Sequence, residues 1–525
     1  GQEFRNIPPF STDPSILSKE LYFSIMSGFG KFGPLVGAID EGTSSARFII
    51  FKANSCDVVA THQKELEQIF PQEGWVEQDP MAILENFIVL DSVMVMLQDI
   101  IAVGVTNQRE TTIVWDRTTG KPLHNAIVWL DMRTSSTIDK LLEMPLCGLP
   151  MSPYFSAVKL RWLSDNVEAV RVAIKNGTCC FGTVDSWIIW NLTVHITDVS
   201  NASRTMLMNI QTLKWEPLLL KFFEVPRLVL PEIRSSSEIY GRISSGPLQG
   251  VPLSGCLGDQ QAALVGQMCL QKGQAKATYG TGCFVLYNTG DKRVDSSRGL
   301  LTTVAYQLGA NTPPCYALEG SVAIAGAALS WLRDNIGLIE SANDSQAIAE
   351  TATENGSVVF VPAFSGLYAP YWRQDARGVI CGITEETQSN HIIKAALEAV
   401  CYQVRDILDA MNEDCGIPLQ VDGGMTSNAL VMQMQSDLIG IEVVRAGFTE
   451  STALGAALVA YWGLEQSEQN LENHSKRVHN YNFKIKHFPL ILKSSIIIMF
   501  APNSSATLPT LQRVSLHSAL STVIR

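Results

Sequence analysis

The sequence has few of the features that mark disulfide-rich, zinc-binding or nucleic-acid-binding proteins. Its eleven cysteines are scattered without a C-x-x-C pair, so neither a zinc site nor a disulfide framework is indicated. Charged residues make up only 17% of the chain, and its net charge of −12 is the wrong sign for neutralising a phosphate backbone. We therefore predict reduced, mostly buried thiols and no nucleic-acid partner.

Long apolar runs are also missing. The longest late stretch, Phe488 to Ala501, is interrupted by Lys493 and two serines. It is shorter than the roughly 20 apolar residues that a membrane-spanning helix needs. The N-terminus shows no basic segment followed by an apolar run, as a secretory signal would. These absences predict a cytoplasmic protein without a transmembrane segment.

The sequence does contain ample material for more than one hydrophobic core. It has 525 residues, of which 46% are hydrophobic, and this length favours two or more domains. Apolar residues from Ile393 to Met411 recur at steps of three and four, which predicts an amphipathic helix. Short apolar strands alternate with such helices, which is typical of α/β lobes with mixed sheets.

Two turns rich in glycine and hydroxyl residues are the first functional signal. Asp40–Ser45 joins predicted strands at Leu35–Ile39 and Ala46–Phe51, and Thr278–Phe284 forms a second apolar hairpin of the same kind. Backbone N–H groups converge on phosphate oxygens in such turns. One turn of this composition is more often an ordinary hairpin. Two turns, with Asp422–Gly424 after a further strand, predict two related lobes that bind phosphates.

Several polar residues near these turns are candidates for chemistry. Asp40 precedes the first turn and is suited to hold magnesium, and Arg47 follows it. Asp259 follows an apolar run, so we expect it at a strand end where a general base would meet a hydroxyl; the alternative is a helix N-cap. Arg109 and Glu110 offer donors beside an acceptor, as a small polyol requires, although a surface ion pair is the alternative.

The order of these motifs resembles the FGGY carbohydrate kinases. The resemblance runs from about residue 34 to 463 and implies an α/β, two-lobed actin-like ATPase (ribonuclease H-like) fold with a central cleft. It implies an irregular extension over 1–33, an N-terminal lobe over 34–262, a C-terminal lobe over 263–463 and an atypical tail over 464–525. The motifs that carry it are Asp40–Arg47, Gly74–Pro80, Asn107–Thr112, Asn201–Met206, Gly258–Ala263, Thr278–Phe284 and Val421–Asn428.

Within that family the motifs are most similar to members that phosphorylate glycerol with ATP and Mg²⁺. The resemblance implies Asp259 as general base and Asp40 with Asp259 as magnesium ligands. It leaves homo-oligomers and an association with the mitochondrial outer membrane open. The glycerol contacts that it implies are Arg109, Glu110, Tyr154, Asp259 and Gln260, with Trp129 and Phe284 as apolar walls. The ATP contacts that it implies are Thr43, Ser44, Ser45, Arg47, Thr281, Gly326, Ser330, Gly424 and Asn428.

Some positions depart from the family pattern. Glu41 stands where the family usually has glutamine, and its charge would weaken ATP binding if the side chain faced the nucleotide. Several loops are short, and the tail is unrelated to the expected C-terminal segment. Three alternatives therefore stay open: a kinase for a larger polyol or sugar, a catalytically impaired homologue that binds nucleotides or partners, and an actin-like chaperone ATPase without a polyol pocket.

Overall fold

A computed structural model gives the structure of residues 32–88, 97–138, 147–352, 358–411, 419–446, 450–465 and 485–488. Almost all of the predicted extension over 1–33 and most of the predicted tail lie outside these described residues. The described part contains twenty-three strands and thirteen α-helices.

The strands belong to two large sheets and several two-stranded ribbons. In chain order they are β1 Leu35–Glu41, β2 Ser45–Lys52, β3 Val58–Glu65, β4 Glu77–Gln78, β5 Ile100–Asn107, β6 Ile113–Asp116, β7 Ala126–Ile127, β8 Cys179–Gly182, β9 Ile196–Asp198, β10 Met208–Asn209, β11 Lys214–Trp215, β12 Glu232–Arg234, β13 Ser237–Arg242, β14 Pro252–Gly258, β15 Ala275–Tyr279, β16 Cys283–Gly290, β17 Leu301–Tyr306, β18 Cys315–Val322, β19 Val359–Val361, β20 Val379–Cys381, β21 Leu419–Asp422, β22 Val443–Ala446 and β23 Ile485–Phe488.

The helices lie between the strands in the alternation that the sequence predicts. In chain order they are α1 Pro80–Ile88, α2 Ser135–Ile138, α3 Ser156–Asn166, α4 Glu168–Asn176, α5 Val184–Leu192, α6 Val199–Ala202, α7 Pro217–Phe222, α8 Asp259–Gly266, α9 Gly326–Asp334, α10 Ser345–Glu350, α11 Ser389–Met411, α12 Ala429–Ile439 and α13 Ser451–Glu465.

The N-terminal lobe is built on a six-stranded sheet in the order β13-β14-β5-β1-β2-β3. Strand β1 pairs antiparallel with β2 and parallel with β5, and β5 pairs parallel with β14. The residues of β1 are buried on both faces, which its apolar sequence allows, whereas the mostly exposed β3 forms an edge. The predicted hairpin on Asp40–Ser45 is confirmed.

The C-terminal lobe repeats this topology in a seven-stranded sheet, ordered β17-β18-β16-β15-β21-β22-β23. Here β15 pairs antiparallel with β16 and parallel with β21, and β21 pairs parallel with β22. The predicted second hairpin, the helix over Ile393–Met411 and the strand before Asp422 are all confirmed. The prediction of two related lobes, made from two similar turns, is therefore confirmed by their strand orders.

The predicted tail contributes one strand to this repeat. Strand β23 pairs antiparallel with β22, in the place that β13 takes beside β14 in the first lobe. The atypical tail that the resemblance implies over 464–525 therefore includes one strand of the second sheet, at Ile485–Phe488. Four residues give too short a periodic signal to identify a strand that depends on a distant partner.

Helix α13 joins the two lobes. It belongs to the C-terminal part of the chain but packs on β1, β5 and β14 of the first sheet and on α8. Ser237 and Ser254 donate hydroxyl hydrogen bonds of 2.8 and 2.7 Å to carbonyl oxygens of α13. A β-carbon on Gly266 would lie 1.9 Å from the carbonyl oxygen of Ser451, so this contact requires glycine.

Two predictions from composition concern the whole chain. Of the ten cysteines in the described residues, all are unpaired and all but Cys381 are buried, as predicted. Among the same residues, no helix combines the length and the apolarity that crossing a bilayer would require.

Candidate active site

Two adjoining cavities lie in the cleft between the lobes. The smaller has a volume of about 190 Å³ and the larger about 1020 Å³, and both are lined by residues of the two glycine-rich turns. The smaller cavity is lined by these predicted site residues: Asp40, Thr43, Ser44, Ser45, Arg47, Trp129, Asp259, Gln260, Thr281 and Phe284. The larger is lined by Ser44, Ser45, Thr281, Gly326, Ser330, Gly424 and Asn428.

The two turns face each other across the cleft. The first is closed by a 3.0 Å hydrogen bond from the Gly42 amide to the Ser45 carbonyl. The indole N–H of Trp129 donates to the hydroxyl of Thr43 over 2.9 Å and so braces this turn. On the other side, a β-carbon on Gly326 would lie 2.7 Å from the carbonyl oxygen of Gly280. Helix α9 therefore approaches the second turn closely, which leaves backbone amides from both lobes around one space.

Asp259 lies where β14 ends and α8 begins. Gly258 is the N-cap and Asp259 the first helical residue, so the strand-end placement is confirmed and the N-cap alternative is wrong. The carboxylate oxygen Oδ1 of Asp259 lies 3.2 Å from Nε of Arg109. Its side chain is a quarter exposed, toward the smaller cavity. A carboxylate at this point can meet a hydroxyl in the cleft.

Arg109 and Glu110 form a buried charge cluster at the end of β5 rather than a surface ion pair. Arg109 donates through both Nη atoms to the carboxylate of Glu319, each over 2.7 Å. Nε of Arg204 donates to Glu110 over 2.5 Å and its Nη2 lies 3.4 Å from Glu319. All four side chains are at most 2% exposed. Two positive and two negative charges thus balance each other without solvent.

Glu110 also has an unusual backbone. Its φ of 59° lies in the left-handed region, which glycine tolerates and glutamate seldom adopts. The conformation is held by the cluster around it, in which Ser156 donates to the Glu110 carbonyl. A strained backbone of this kind persists where many surrounding contacts hold the residue in place. In this conformation the Glu110 carboxylate accepts a hydrogen bond from Arg204.

An aromatic wall adjoins this cluster. The ring of Trp129 packs edge-to-face on Tyr154 and on Phe284, with centroid distances of 5.6 and 5.7 Å. The guanidinium of Arg109 lies 5.7 Å from the centroid of Phe284. The structure thus brings the seven predicted polyol residues into one region: Trp129, Asp259, Gln260 and Phe284 line the smaller cavity, whereas Arg109, Glu110 and Tyr154 are buried beside these residues.

A buried lysine orients Gln260. The ammonium of Lys276 on β15 lies 2.6 Å from Oε1 of Gln260 and 2.8 Å from the Thr278 hydroxyl. Lysine can only donate, so the amide oxygen of Gln260 must face Lys276 and its N–H groups are left for another acceptor. Burial lowers the pKa of Lys276, while the carboxylates of Asp422 and Asp259 oppose that shift.

Acidic side chains line the base of the smaller cavity. Burial raises the pKa of Asp40 to about 6, against the opposing effect of Arg47, whose Nη1 lies 3.3 Å away. Burial likewise raises the pKa of Asp259, against Arg109 and Lys276. The smaller cavity therefore offers the carboxylate oxygens of Asp40 and Asp259 together with hydroxyl oxygens. Oxygen atoms of these kinds are the ligands that a hard cation such as Mg²⁺ prefers.

Glu41 faces neither the nucleotide side nor the solvent. It is fully buried, and alternation along β1 places it on the face of Leu35 and Ile39, opposite Asp40. Neither of its carboxylate oxygens has a hydrogen-bond partner. Burial, and then the charge of Asp40, raise the pKa of Glu41 well above its usual range. The repulsion of ATP considered from the sequence therefore has no basis in this geometry.

Several residues of the site carry no signal in the sequence. Glu319 and Lys276 lie inside apolar strands. In the sequence alone, a single charged residue in such a strand indicates only a position at the sheet edge or on the surface. Glu319 is part of the site because it pairs with Arg109, which lies more than a hundred residues away in the sequence. Lys276 is part of it because it contacts Gln260 at the cleft. Arg204 lies in the motif Asn201–Met206, but that motif does not predict its pairing with Glu110.

The chain matches two models that together cover most of its length. Residues 35–266 match the FGGY family of carbohydrate kinases, N-terminal domain, and residues 275–464 match the corresponding C-terminal domain. The glycerol kinase of Brucella anthropi is 52% identical over 453 residues, which are 81% of this chain and 90% of that protein. The glycerol kinase of Arabidopsis thaliana is 51% identical over 462 residues, at 81% and 88% coverage.

Solved structures agree with this. The crystal structure of Plasmodium falciparum glycerol kinase with ADP is 37% identical, covers 94% of this chain and 97% of its own, and superposes with a TM-score of 0.78. A ligand-bound xylulose kinase from Lactobacillus acidophilus, at 20% identity and a TM-score of 0.76, shares the fold. The predicted two-lobed actin-like fold is thereby confirmed, and the chain belongs to the FGGY family of carbohydrate kinases.

Proposed function

We propose that this chain is a glycerol kinase, which transfers the γ-phosphoryl group of ATP to a terminal hydroxyl of glycerol and forms sn-glycerol 3-phosphate. The observation that carries the proposal is the 3.2 Å contact between Asp259 and Arg109. It joins a candidate base to a buried polyol-type site, and the facing turns that bind phosphates open onto the same cavity. Relatives of about 50% identity named as glycerol kinases support this substrate.

Glycerol would be held by groups that replace its hydrogen bonds to water. Arg109 and the N–H groups of Gln260 donate, Glu110 accepts, and the phenol of Tyr154 can do either. The ring of Trp129 covers the carbon chain. Glu319, Arg204 and Lys276 hold Arg109, Glu110 and Gln260 in place, so the orientation of these groups is fixed before the substrate arrives.

Asp259 would take the proton of the attacking hydroxyl as the phosphoryl group is transferred. Kinase transition states have loose, highly charged phosphoryl groups, so positioning and charge stabilisation contribute most of the catalysis. The amides around Thr43 and Thr281 would bind the phosphates, and Arg47 would offset their charge. Asn428 and Gly424 would line the nucleoside side, because they border the larger cavity.

Asp40 and Asp259 would hold Mg²⁺, because both line the smaller cavity. Arg47 contacts one carboxylate oxygen of Asp40, and Arg109 contacts one of Asp259. When bound, the ion offsets negative charge on the phosphates. The division into lobes at residue 262, a cytoplasmic location, association with the mitochondrial outer membrane and homo-oligomer formation all stay predictions.

The test is a coupled assay of ADP release, with and without glycerol. We expect glycerol-dependent turnover, and we expect Asp259→Asn to lower kcat by a factor of about 10² to 10⁴ while ATP binding is retained. Asp57→Asn is the control, since Asp57 is exposed on the turn between β2 and β3. If Asp259→Asn kept turnover within about threefold of the parent, the assignment of the base would be wrong.

A panel of acceptors tests the substrate separately. Erythritol, ribitol and xylulose present longer chains than glycerol to a cavity of about 190 Å³ whose polar groups are fixed by buried partners. We expect kcat/KM to be highest for glycerol. A higher kcat/KM for one of the longer acceptors would contradict the proposed substrate but leave the kinase assignment standing.

A further inference from the structure

Glu319 is a fully buried carboxylate that reaches the polyol site from the opposite lobe. It lies in the middle of β18, in the second sheet, whereas Arg109 lies two residues after the end of β5 in the first sheet. Its two oxygens accept one hydrogen bond each from the two Nη atoms of Arg109, both of 2.7 Å. A paired contact of this kind fixes the plane of a guanidinium as well as its position.

The other donors of Arg109 are oriented by this pairing. Nη1 also donates to Oε1 of Gln261 over 3.2 Å, and Nε lies 3.2 Å from Oδ1 of Asp259. The fork toward Glu319 therefore turns the Nε edge of the guanidinium to the candidate base. In that orientation Arg109 contacts one oxygen of Asp259 through one nitrogen and leaves the carboxylate's other oxygen for a substrate.

The alternative partners of Arg109 show what Glu319 prevents. Without a charge on Glu319, the carboxylates near Arg109 are those of Asp259 and Glu110, and Glu110 already pairs with Arg204. The guanidinium would then be drawn toward Asp259 in a paired contact and would occupy both oxygens of the base. Burial works to raise the pKa of Glu319, but Arg109 and Arg204 outweigh it and hold the pKa at about 2, so its charge is retained.

We propose that Glu319 is a positioning residue for phosphoryl transfer. It acts through Arg109, holding that side chain off the base and in reach of the polyol, and it does so from the C-terminal lobe. The polyol site is therefore complete only when β18 is docked against the end of β5. This inference rests on the proposed function and deepens it, because it assigns acceptor binding in part to the lobe that binds the nucleotide.

Steady-state kinetics with two variants test the proposal. Glu319→Gln removes the charge. Glu319→Asp keeps the charge but places it one methylene farther from Arg109. The second variant preserves the charge balance of the cluster, so the test remains possible if the first variant fails to fold. We expect the KM for glycerol to rise about tenfold or more in each, since a charged hydrogen-bond pair is disturbed, and the KM for ATP to stay within about twofold. Glu238→Gln is the control, because Glu238 pairs with Arg234 away from the cleft.

A double-mutant cycle separates positioning from a general structural role. If Glu319 acts through Arg109, then adding Glu319→Gln to Arg109→Met should change kcat/KM for glycerol by less than about twofold beyond Arg109→Met alone. Multiplicative losses in the double variant would overturn the proposal. So would a parental KM for glycerol in both single variants, or equal changes in the KM values for glycerol and ATP.

The same measurements distinguish this proposal from the proposed function. If the parent protein phosphorylates a different polyol and not glycerol, the proposed substrate is wrong. The variants are then compared with that polyol, and the same cycle supports or overturns the positioning role of Glu319.

Discussion

At the scale of single residues, Glu41 is a buried carboxyl group with neither carboxylate oxygen in a hydrogen bond. A buried carboxyl group without a hydrogen-bond partner is costly when ionised, and burial therefore raises the pKa of Glu41. The unfolded chain releases that proton near the usual pKa of glutamate, so folding takes up a proton at any pH between that usual pKa and the raised one. Stability attributable to Glu41 therefore falls as pH rises from the usual pKa toward the raised one, by up to about 1.4 kcal/mol per pH unit.

Replacing Glu41 with glutamine should remove this dependence. We expect Glu41→Gln to raise the melting temperature relative to the parent more at about pH 8 than at about pH 5, because the variant has no proton to take up. Thermal melts of the ligand-free protein in a chelating buffer measure this. Glu67→Gln, at an exposed position, is the control. A difference that is constant or shrinks with pH would contradict the assignment.

At the scale of elements, α8 and α13 pack with their backbones in close contact. A β-carbon on Gly455 would lie 1.9 Å from the carbonyl oxygen of Ala262, which is backbone and cannot rotate away. We expect Gly455→Ala to lower the free energy of unfolding by at least about 2 kcal/mol, although alanine favours helices elsewhere. Chemical denaturation measures this.

The comparison for this helix contact is an exposed helical position. Val172→Ala on α4 removes apolar atoms from a side chain that is 46% exposed, so we expect a change of less than about 0.5 kcal/mol. Equal stabilities of Gly455→Ala and the parent would mean that α8 and α13 can separate without cost.

The sequence predicted elements well where their signal is local. The hairpin turns, the helix over Ile393–Met411 and the position of Asp259 follow from periodicity and turn composition over short windows. The contact between the lobes at Arg109 does not, because its partner Glu319 lies 210 residues away in the sequence. The contact of Gln260 with Lys276 spans 16 residues but depends on how the second sheet packs against α8. Strand β23 was missed for the same reason, since only its neighbour β22 identifies it.

At the scale of the whole molecule, charged contacts join the lobes at the cleft. Arg109 meets Glu319 in the polyol region, and Arg47 lies 3.4 Å from Glu450 beside the first phosphate turn. A ligand that binds between them should stabilise both lobes together. We expect saturating glycerol to raise the free energy of unfolding by about 2.7 kcal/mol at a hundredfold excess over its Kd.

Differential scanning fluorimetry against glycerol concentration measures this effect. Glycerol also stabilises proteins without binding to a site, so the Arg109→Met variant serves as the control for that contribution. We expect a saturable shift in the parent and only a small linear shift in the variant. Equal shifts in the two proteins would contradict a glycerol site at Arg109.

The path of α13 has a consequence for biosynthesis. The sheet formed by β1, β5 and β14 stays uncovered on one face until residues 451–465 have left the ribosome, because among the described residues no segment earlier in the chain packs along these three strands as that helix does. The first lobe therefore has to wait for nearly the whole described chain before its interior is sealed. A fragment ending after α8 should aggregate when expressed alone, and supplying the remaining residues as a separate polypeptide should restore it.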